Sequence, residues 1–250
     1  MKSLIIEASL LEIVWSDTIE YLHINWMSIS DYCVSLKIFP LDSLPRLRKL
    51  YLGRFPNLEM ISQDHVHNHL EDMTIKECPK FESLPANMHT LLPSLNELLI
   101  EDCPKLESFP AEGLPSNLKF MKLNNCSTLL VDSLNGAFRD NPSLERLSIE
   151  KVDAECFPNE GLLPPSLTHL TIIYSPNLKK LDYKGLYQLS SLRSLTLSNC
   201  PNLQCLPEEG LPKSISNLQI SWCRLLKKRC LKERGEDWEK ISHIQTLYIR

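Results

Sequence analysis

From residue 47 onward the apolar positions obey one template, L-x-x-L-x-[LI]-x-x-C-P-x-L-x-x-[LF]-P. The clearest copies start at Leu70, Leu95 and Leu192, reading LEDMTIKECPKFESLP, LNELLIEDCPKLESFP and LRSLTLSNCPNLQCLP. Looser copies start at Leu47, Leu118, Leu144, Leu167 and Ile215, and an irregular one starts at Ile19. Successive starts from Leu47 are 23, 25, 23, 26, 23, 25 and 23 residues apart. The second and third apolar positions of each copy lie two residues apart, as on one face of a strand. One copy cannot bury that face alone, whereas stacked copies share a continuous core.

These intervals lie in the range of roughly 20–29 residues typical of leucine-rich repeats. They predict an α/β-type solenoid: a leucine-rich-repeat horseshoe with a parallel β-sheet on its concave side. Each L-x-x-[LF]-P segment returns along the convex side, where proline favours irregular backbone over helix. Short units close with E-G-L-P or a variant, at 112–115, 160–164 and 209–212. Those glutamates are 48 and 49 residues apart, which points to duplication of a pair of units. About ten strands in one elongated domain are expected. Residues 1–18 form a degenerate or truncated first repeat, 19–224 the repeats, and 225–250 a cap with a final half-repeat. In the cap, residues 225–234 are read as a short helix ended by Gly235, with Trp238 and Ile241 covering the open core.

Composition sharpens this picture. Seventeen prolines against seven glycines suit repeated proline-built turns, and 43% hydrophobic residues exclude a disordered chain. A net charge of −4 argues against nucleic acid as the main partner. No apolar run approaches the roughly 18 residues of a membrane span. The first residues carry Glu7 and Glu12 and lack a cleavage site, so no signal peptide is expected. Nine cysteines, an odd number, suit a reducing compartment. Six of them, at 33, 78, 103, 126, 200 and 223, hold one repeat position, where Phe55, Val152 and Ser175 stand in other copies. That column is read as an inward ladder of small, weakly hydrogen-bonding groups, not as a metal or disulfide framework.

No nucleotide-binding P-loop, zinc-protease or serine-hydrolase motif occurs, so neither catalysis nor a cofactor is expected. Asp64-His65-Val66-His67-Asn68-His69 has ligand-type composition, but its place before a strand reads as a solvated loop. Asn125-Cys126-Ser127 is a sequon in form only, because Cys126 belongs to the inward ladder. The candidate site is the outward strand face, with partner-binding candidates Tyr51, Glu71, Asp72, Glu97, Leu99, Asp102, Phe120, Lys122, Tyr174 and Trp222. Its carboxylates suggest an acidic patch between Arg48, Lys49 and Arg54 on one side and Lys119 and Lys122 on the other. Its exposed aromatics are of the kind that anchor interfaces.

The cap segment, C-x-x-L-x-x-R-C-x-x-x-x-G-E-D-W-x-K-I-x-H-I over 223–244, resembles the C-terminal end of plant coiled-coil nucleotide-binding leucine-rich-repeat disease resistance proteins. The C-P-x-L-x-x-[LF]-P-x-E-G-L-P units at 103–115 and 200–212 and the stretch 33–42 resemble the same proteins. Arg224 and Glu239 depart from the usual prolines. The resemblance implies the sensor region of an immune receptor, cytoplasmic or also nuclear, without its coiled coil and nucleotide-binding switch. The implied partners are a pathogen effector or a guarded host protein, and the nucleotide-binding domain of a full-length receptor. Two alternatives carry less sequence support. A substrate-recruiting adaptor of a ubiquitin ligase needs an F-box bundle, and an extracellular receptor-kinase repeat domain needs a G-x-I-P segment and sequons.

Overall fold

The computed structural model describes residues 3–7, 18–25, 36–126, 133–134, 136–138 and 142–250. Cys33 and Ser127 lie outside the described residues. The chain divides into two compact units, Met1–Asn141 and Pro142–Arg250. Each is a stack of coils built around a parallel sheet.

In the first unit the sheet strands are β1 (Ser3–Glu7), β2 (Tyr21–Asn25), β4 (Lys49–Gly53), β6 (Asp72–Lys76), β7 (Glu97–Glu101) and β8 (Phe120–Asn124), in that spatial order. In the second they are β9 (Arg146–Glu150), β11 (His169–Ile173), β13 (Ser194–Ser198), β14 (Asn217–Ser221) and β15 (Thr246–Ile249). On the return side run β3 (Ile38–Pro40), paired with β5 (Met60–Ser62), and β10 (Cys156–Phe157), paired with β12 (Lys180–Leu181).

The register is one repeat per strand, so equivalent side chains stack. Leu50, Met73, Leu98 and Met121 stand in one inward row, and Leu52, Ile75, Ile100 and Leu123 in the next. In the second unit Leu147, Leu170, Leu195 and Leu218 continue the pattern beside Ile149, Ile172, Leu197 and Ile220. All sixteen are 2% exposed or less. Phe81, Leu106, Leu178 and Leu203 close the core from the return side. Burying an aliphatic side chain fully is worth about 1.5–3 kcal/mol, so the two row residues of each coil contribute about 3–6 kcal/mol.

The return side is more ordered than its prolines suggest. Besides the two short strand pairs it holds helices α1 (Met88–Leu91) and α2 (Tyr183–Tyr187). Asp182 caps α2 by accepting the Lys184 N–H at 2.9 Å. Gly185 permits its packing: a Cβ there would fall 1.8 Å from the Pro158 carbonyl oxygen. Both helices replace the E-G-L-P ending, and they do so in the longer, 25-residue units.

The thiol column is inward, as its position implies. Cys78, Cys103, Cys200 and Cys223 are fully buried, and the eight cysteines among the described residues are free thiols. Their chemistry is specific. Cys78, Cys103, Cys126, Cys200 and Cys223 each donate to the carbonyl two residues earlier, at 3.3–3.5 Å. Cys223 Sγ also accepts the Cys200 N–H of the preceding coil. Ser175 does the same with its hydroxyl, donating to Ile173 and accepting from the Val152 N–H. Phe55 and Val152 fill the same place with buried apolar side chains, whereas at these six positions the column uses a small donor–acceptor. It satisfies main-chain groups in a dry core, where leaving them unmet is costly.

One histidine of the cluster at 65–69 belongs to the core, against the expectation of a solvated loop. His67 is 2% exposed. Its Nε2 lies 2.8 Å from the Leu44 carbonyl oxygen and must carry the proton, while Nδ1 accepts the Leu70 N–H. Both ring nitrogens are thus engaged with main chain, which leaves neither for a metal. His65 and His69 are exposed.

The cap helix, α3, spans Arg224–Arg229 and is shorter than the 225–234 expected. Gly235 does not end it. A Cβ at Gly235 would lie 2.0 Å from the Arg229 carbonyl oxygen, so its role is close approach of two chain segments. Leu226, Cys230 and Ile241 are the fully buried lid residues, and Trp238 is only half-buried. Beneath them sits Asp237, also fully buried.

Candidate functional site

Equivalent residues of the strand face stack in rows. The middle row of the first unit is Tyr51, Thr74, Leu99 and Lys122, and that of the second is Ser148, Thr171, Thr196, Gln219 and Tyr248. A row at the strand starts runs Lys49, Asp72, Glu97 and Phe120, then Arg146, His169, Ser194, Asn217 and Thr246. Tyr51, Asp72, Glu97, Leu99, Phe120 and Lys122 therefore share one face, half-buried among their neighbours. Glu71 stands immediately before β6.

The charges of this face interleave instead of segregating. Arg48 meets Glu71 at 2.6 Å, and Lys49 pairs with Asp72. Arg54 meets Glu77 at 2.8 Å. Glu101 takes Lys76 at 3.3 Å and also Lys122. Burial alone would raise the Glu101 pKa, but these two ammonium groups outweigh it and hold the carboxyl below its ordinary value. Asp102 accepts from the Asn125 side chain at 2.5 Å. The acidic patch read from sequence is thus a set of cross-strand pairs. The reason is the register, which places each cation of one coil beside an anion of the next. Such exposed pairs add little stability, but they cancel much of the field that an acidic patch would present.

Beyond the strands lies a column that the repeat template does not mark. Arg54, Glu77, Asp102, Asn125, Lys151, Tyr174, Asn199 and Trp222 all have left-handed backbone, with φ between +47° and +62°. Each directly precedes a ladder residue. The turn lets the ladder side chain enter the core while the N–H stays in register, as when Tyr174 donates to Ser198 and Asn199 to Ser221. Asparagine and aspartate tolerate this conformation, whereas a bulky residue there is an outlier. Tyr174 and Trp222 are the aromatic members, and they are 48% and 68% exposed. They flank Asn199 on consecutive coils of the second unit. The rows around them on β11, β13 and β14 carry uncharged Thr171, Ser194, Thr196, Ser198, Asn217 and Gln219, while Arg146, Glu150 and Lys151 stand on the coil before Tyr174.

The two units thus offer different surfaces. One is charge-paired with Tyr51, Leu99 and Phe120 set in it; the other is built, from β11 to β14, of uncharged polar residues with two projecting aromatics. No cluster of three or more His, Cys, Asp or Glu suited to a metal ion occurs among the described residues. The sequence places Asp102, Tyr174 and Trp222 outward but does not reveal the left-handed turn they share, because the side chains of that column vary. The available signal was its fixed place before each ladder residue.

No protein-family model matches the chain. It is 32% identical, over 90% of its length, to an Arabidopsis thaliana protein named "Putative disease resistance protein", of which it spans 18%. Among solved structures, the leucine-rich repeat domain of the type III effector XopL aligns with a TM-score of 0.44 and 22% identity, covering 74% of this chain and 75% of that one. The circular leucine-rich-repeat protein CroV588 aligns at 0.39 and 16%, covering 82% and 34%. The fold assignment rests on the repeat and on the strand register.

Proposed function

We propose, from the premise that this chain is a leucine-rich-repeat relative of a plant disease resistance protein, that its outward strand face is the recognition surface of an intracellular immune receptor. The occupant would be a pathogen effector or a host protein that an effector modifies. In a longer receptor, the same repeats would also contact the nucleotide-binding switch domain. The free thiols along the core support a reducing compartment, cytoplasm or nucleus. No helix among the described residues is long and apolar enough to cross a membrane.

One observation carries the reading: Tyr174 and Trp222 are large, exposed and conformationally disfavoured at once. Left-handed backbone at such residues costs about 1–2 kcal/mol, and their exposure leaves much of each ring's burial energy unrealised in the free chain. Contact with a partner would return it, since aromatics at interface centres dominate binding. The neutral hydroxyl and amide groups around them suit hydrogen bonding to a polypeptide.

The test is a binding screen of the chain against secreted pathogen proteins and their host targets, repeated with Tyr174→Asn/Trp222→Asn. The substitution should leave the chain folded and weaken a genuine partner by roughly 30-fold or more. Partners that bind the variant and the parent equally, and that also ignore charge reversal at Glu71, Asp72, Glu97 and Asp102, would remove this face from the proposal.

A further inference from the structure

The lid carries a surface of another kind. Six of the eleven residues from 224 to 234 are Lys or Arg and one is acidic, in a chain of net charge −4. Arg229 is engaged by Asp237 and Glu236. Arg224, Lys227, Lys228, Lys232 and Arg234 are exposed and form no ion pair among the described residues. Several lysines of the coils do find carboxylates: Lys49 with Asp72, Lys76 and Lys122 with Glu101, Lys105 with Glu82, Lys179 with Glu155. The lid also exposes apolar groups. Leu226 and Cys230 fill the core, while Leu225 and Leu231 remain 42% and 44% exposed between the cations.

We propose that this side of the lid docks on an anionic phospholipid surface. The five free cations would lie at the headgroups, and Leu225 and Leu231 would enter the interface. Uncompensated cations interleaved with exposed leucines are the chemistry that such a surface selects, since basic groups supply attraction and apolar ones supply depth. Residues 224–234 contain no aromatic side chain on which bases of a single strand would stack, which disfavours nucleic acid. An acidic protein would account for the cations but not for the leucines. The association is peripheral, and it is independent of the strand face.

The 250-residue chain is sedimented with phosphatidylcholine vesicles, pure or with about 30% phosphatidylserine. Binding should require phosphatidylserine and fall with salt. Lys227→Glu/Lys228→Glu should weaken it by at least about 20-fold, taking roughly fivefold per lost cation near the surface. Leu225→Ser/Leu231→Ser should weaken it at unchanged charge, and Lys80→Glu/Lys119→Glu should bind as the parent does. Thermal unfolding of each variant verifies its fold, since all six positions are exposed. Failure to bind anionic vesicles would overturn the proposal. So would equal binding to neutral ones, or equal loss in the Lys80/Lys119 variant. Binding that ignores the leucines and is competed away by polyglutamate or RNA would reassign the surface to an acidic macromolecule.

Discussion

Replacing Asp237 by alanine should unfasten the C-terminal lid. The carboxylate is fully buried and takes four contacts from three residues. Arg229 meets it through Nε at 3.0 Å and through a second guanidinium nitrogen at 3.2 Å. Lys240 Nζ lies at 2.9 Å, and the Leu206 N–H of the preceding coil donates at 3.0 Å. Removing one member of a buried ion pair costs about 3–5 kcal/mol. Here the cations keep 35% and 22% side-chain exposure and can regain water, which favours the lower end, about 3 kcal/mol. The orphaned Leu206 N–H adds about 1 kcal/mol. At roughly 2–4 °C per kcal/mol for a chain of this size, the transition of the second unit should fall by roughly 8–16 °C. A thermal scan with hydrogen exchange on the last coil reads this directly, and the Leu206 amide should lose protection first. The acid limb offers an independent check. Burial raises the Asp237 pKa, but Arg229, Lys240 and the Leu206 amide more than reverse that and hold it below its usual value. A depressed folded pKa contributes stability above the unfolded value of about 3.9 and loses it as pH falls through the lower folded one. Asp237→Asn should flatten the stability profile in that window. An alanine variant melting within about 1 °C of the parent, with Leu206 still protected, would refute the role given to this cluster.

Other outcomes follow from the same structure. His67→Ala should destabilise the first unit by about 2–4 kcal/mol, since two main-chain groups lose their partner. His65→Ala at an exposed position should change stability by less than about 0.5 kcal/mol, and equal effects in thermal melts would contradict the core role of His67. Burial pushes the Cys126 and Cys230 thiols up to about 12, so they should resist alkylation at neutral pH until urea is added. Among the described cysteines Cys205 should label sooner, and mass spectrometry showing Cys103 or Cys223 modified equally fast would count against a dry column. Tyr174→Asn and Trp222→Asn should each raise the melting temperature by roughly 2–4 °C, because asparagine tolerates their backbone. A fall would mean that the aromatic rings support the fold.

The coil was legible because its apolar residues repeat at strand spacing. Leu47, Leu70 and Leu95 mark each entry into the core whatever lies between them. Features made by turns or by pairing were not legible. Alternation from Leu52 would send Arg54 inward, and only the left-handed turn reverses this. Side chains as unlike as Lys151, Asn199 and Trp222 give that turn no common letter. Asp237 sits among charged residues and reads as solvent-facing, while the larger Trp238 beside it reads as the lid. The structure exchanges those roles because Arg229 and Lys240 converge on the smaller side chain. His67 was hidden similarly by its exposed neighbours. The outward candidates on β6 and β7 did reach the surface, yet the register that aligned them also placed a cation beside nearly every anion.

The bond from the Leu206 amide to Asp237 also sets where such a chain can change length. Asp237 belongs to the lid and Leu206 to the coil before it, so the two segments form one closing module from about residue 200 to the end. A duplication or recombination upstream of that module joins coil to coil through equivalent strands and asks nothing new of the core. A junction within it would set the lid on a foreign coil, with a bare carboxylate in the interior unless an amide stood at the matching point. Lineages of this protein should therefore lengthen and shorten internally while keeping a common ending. Engineered chimaeras should place their crossover before Cys200.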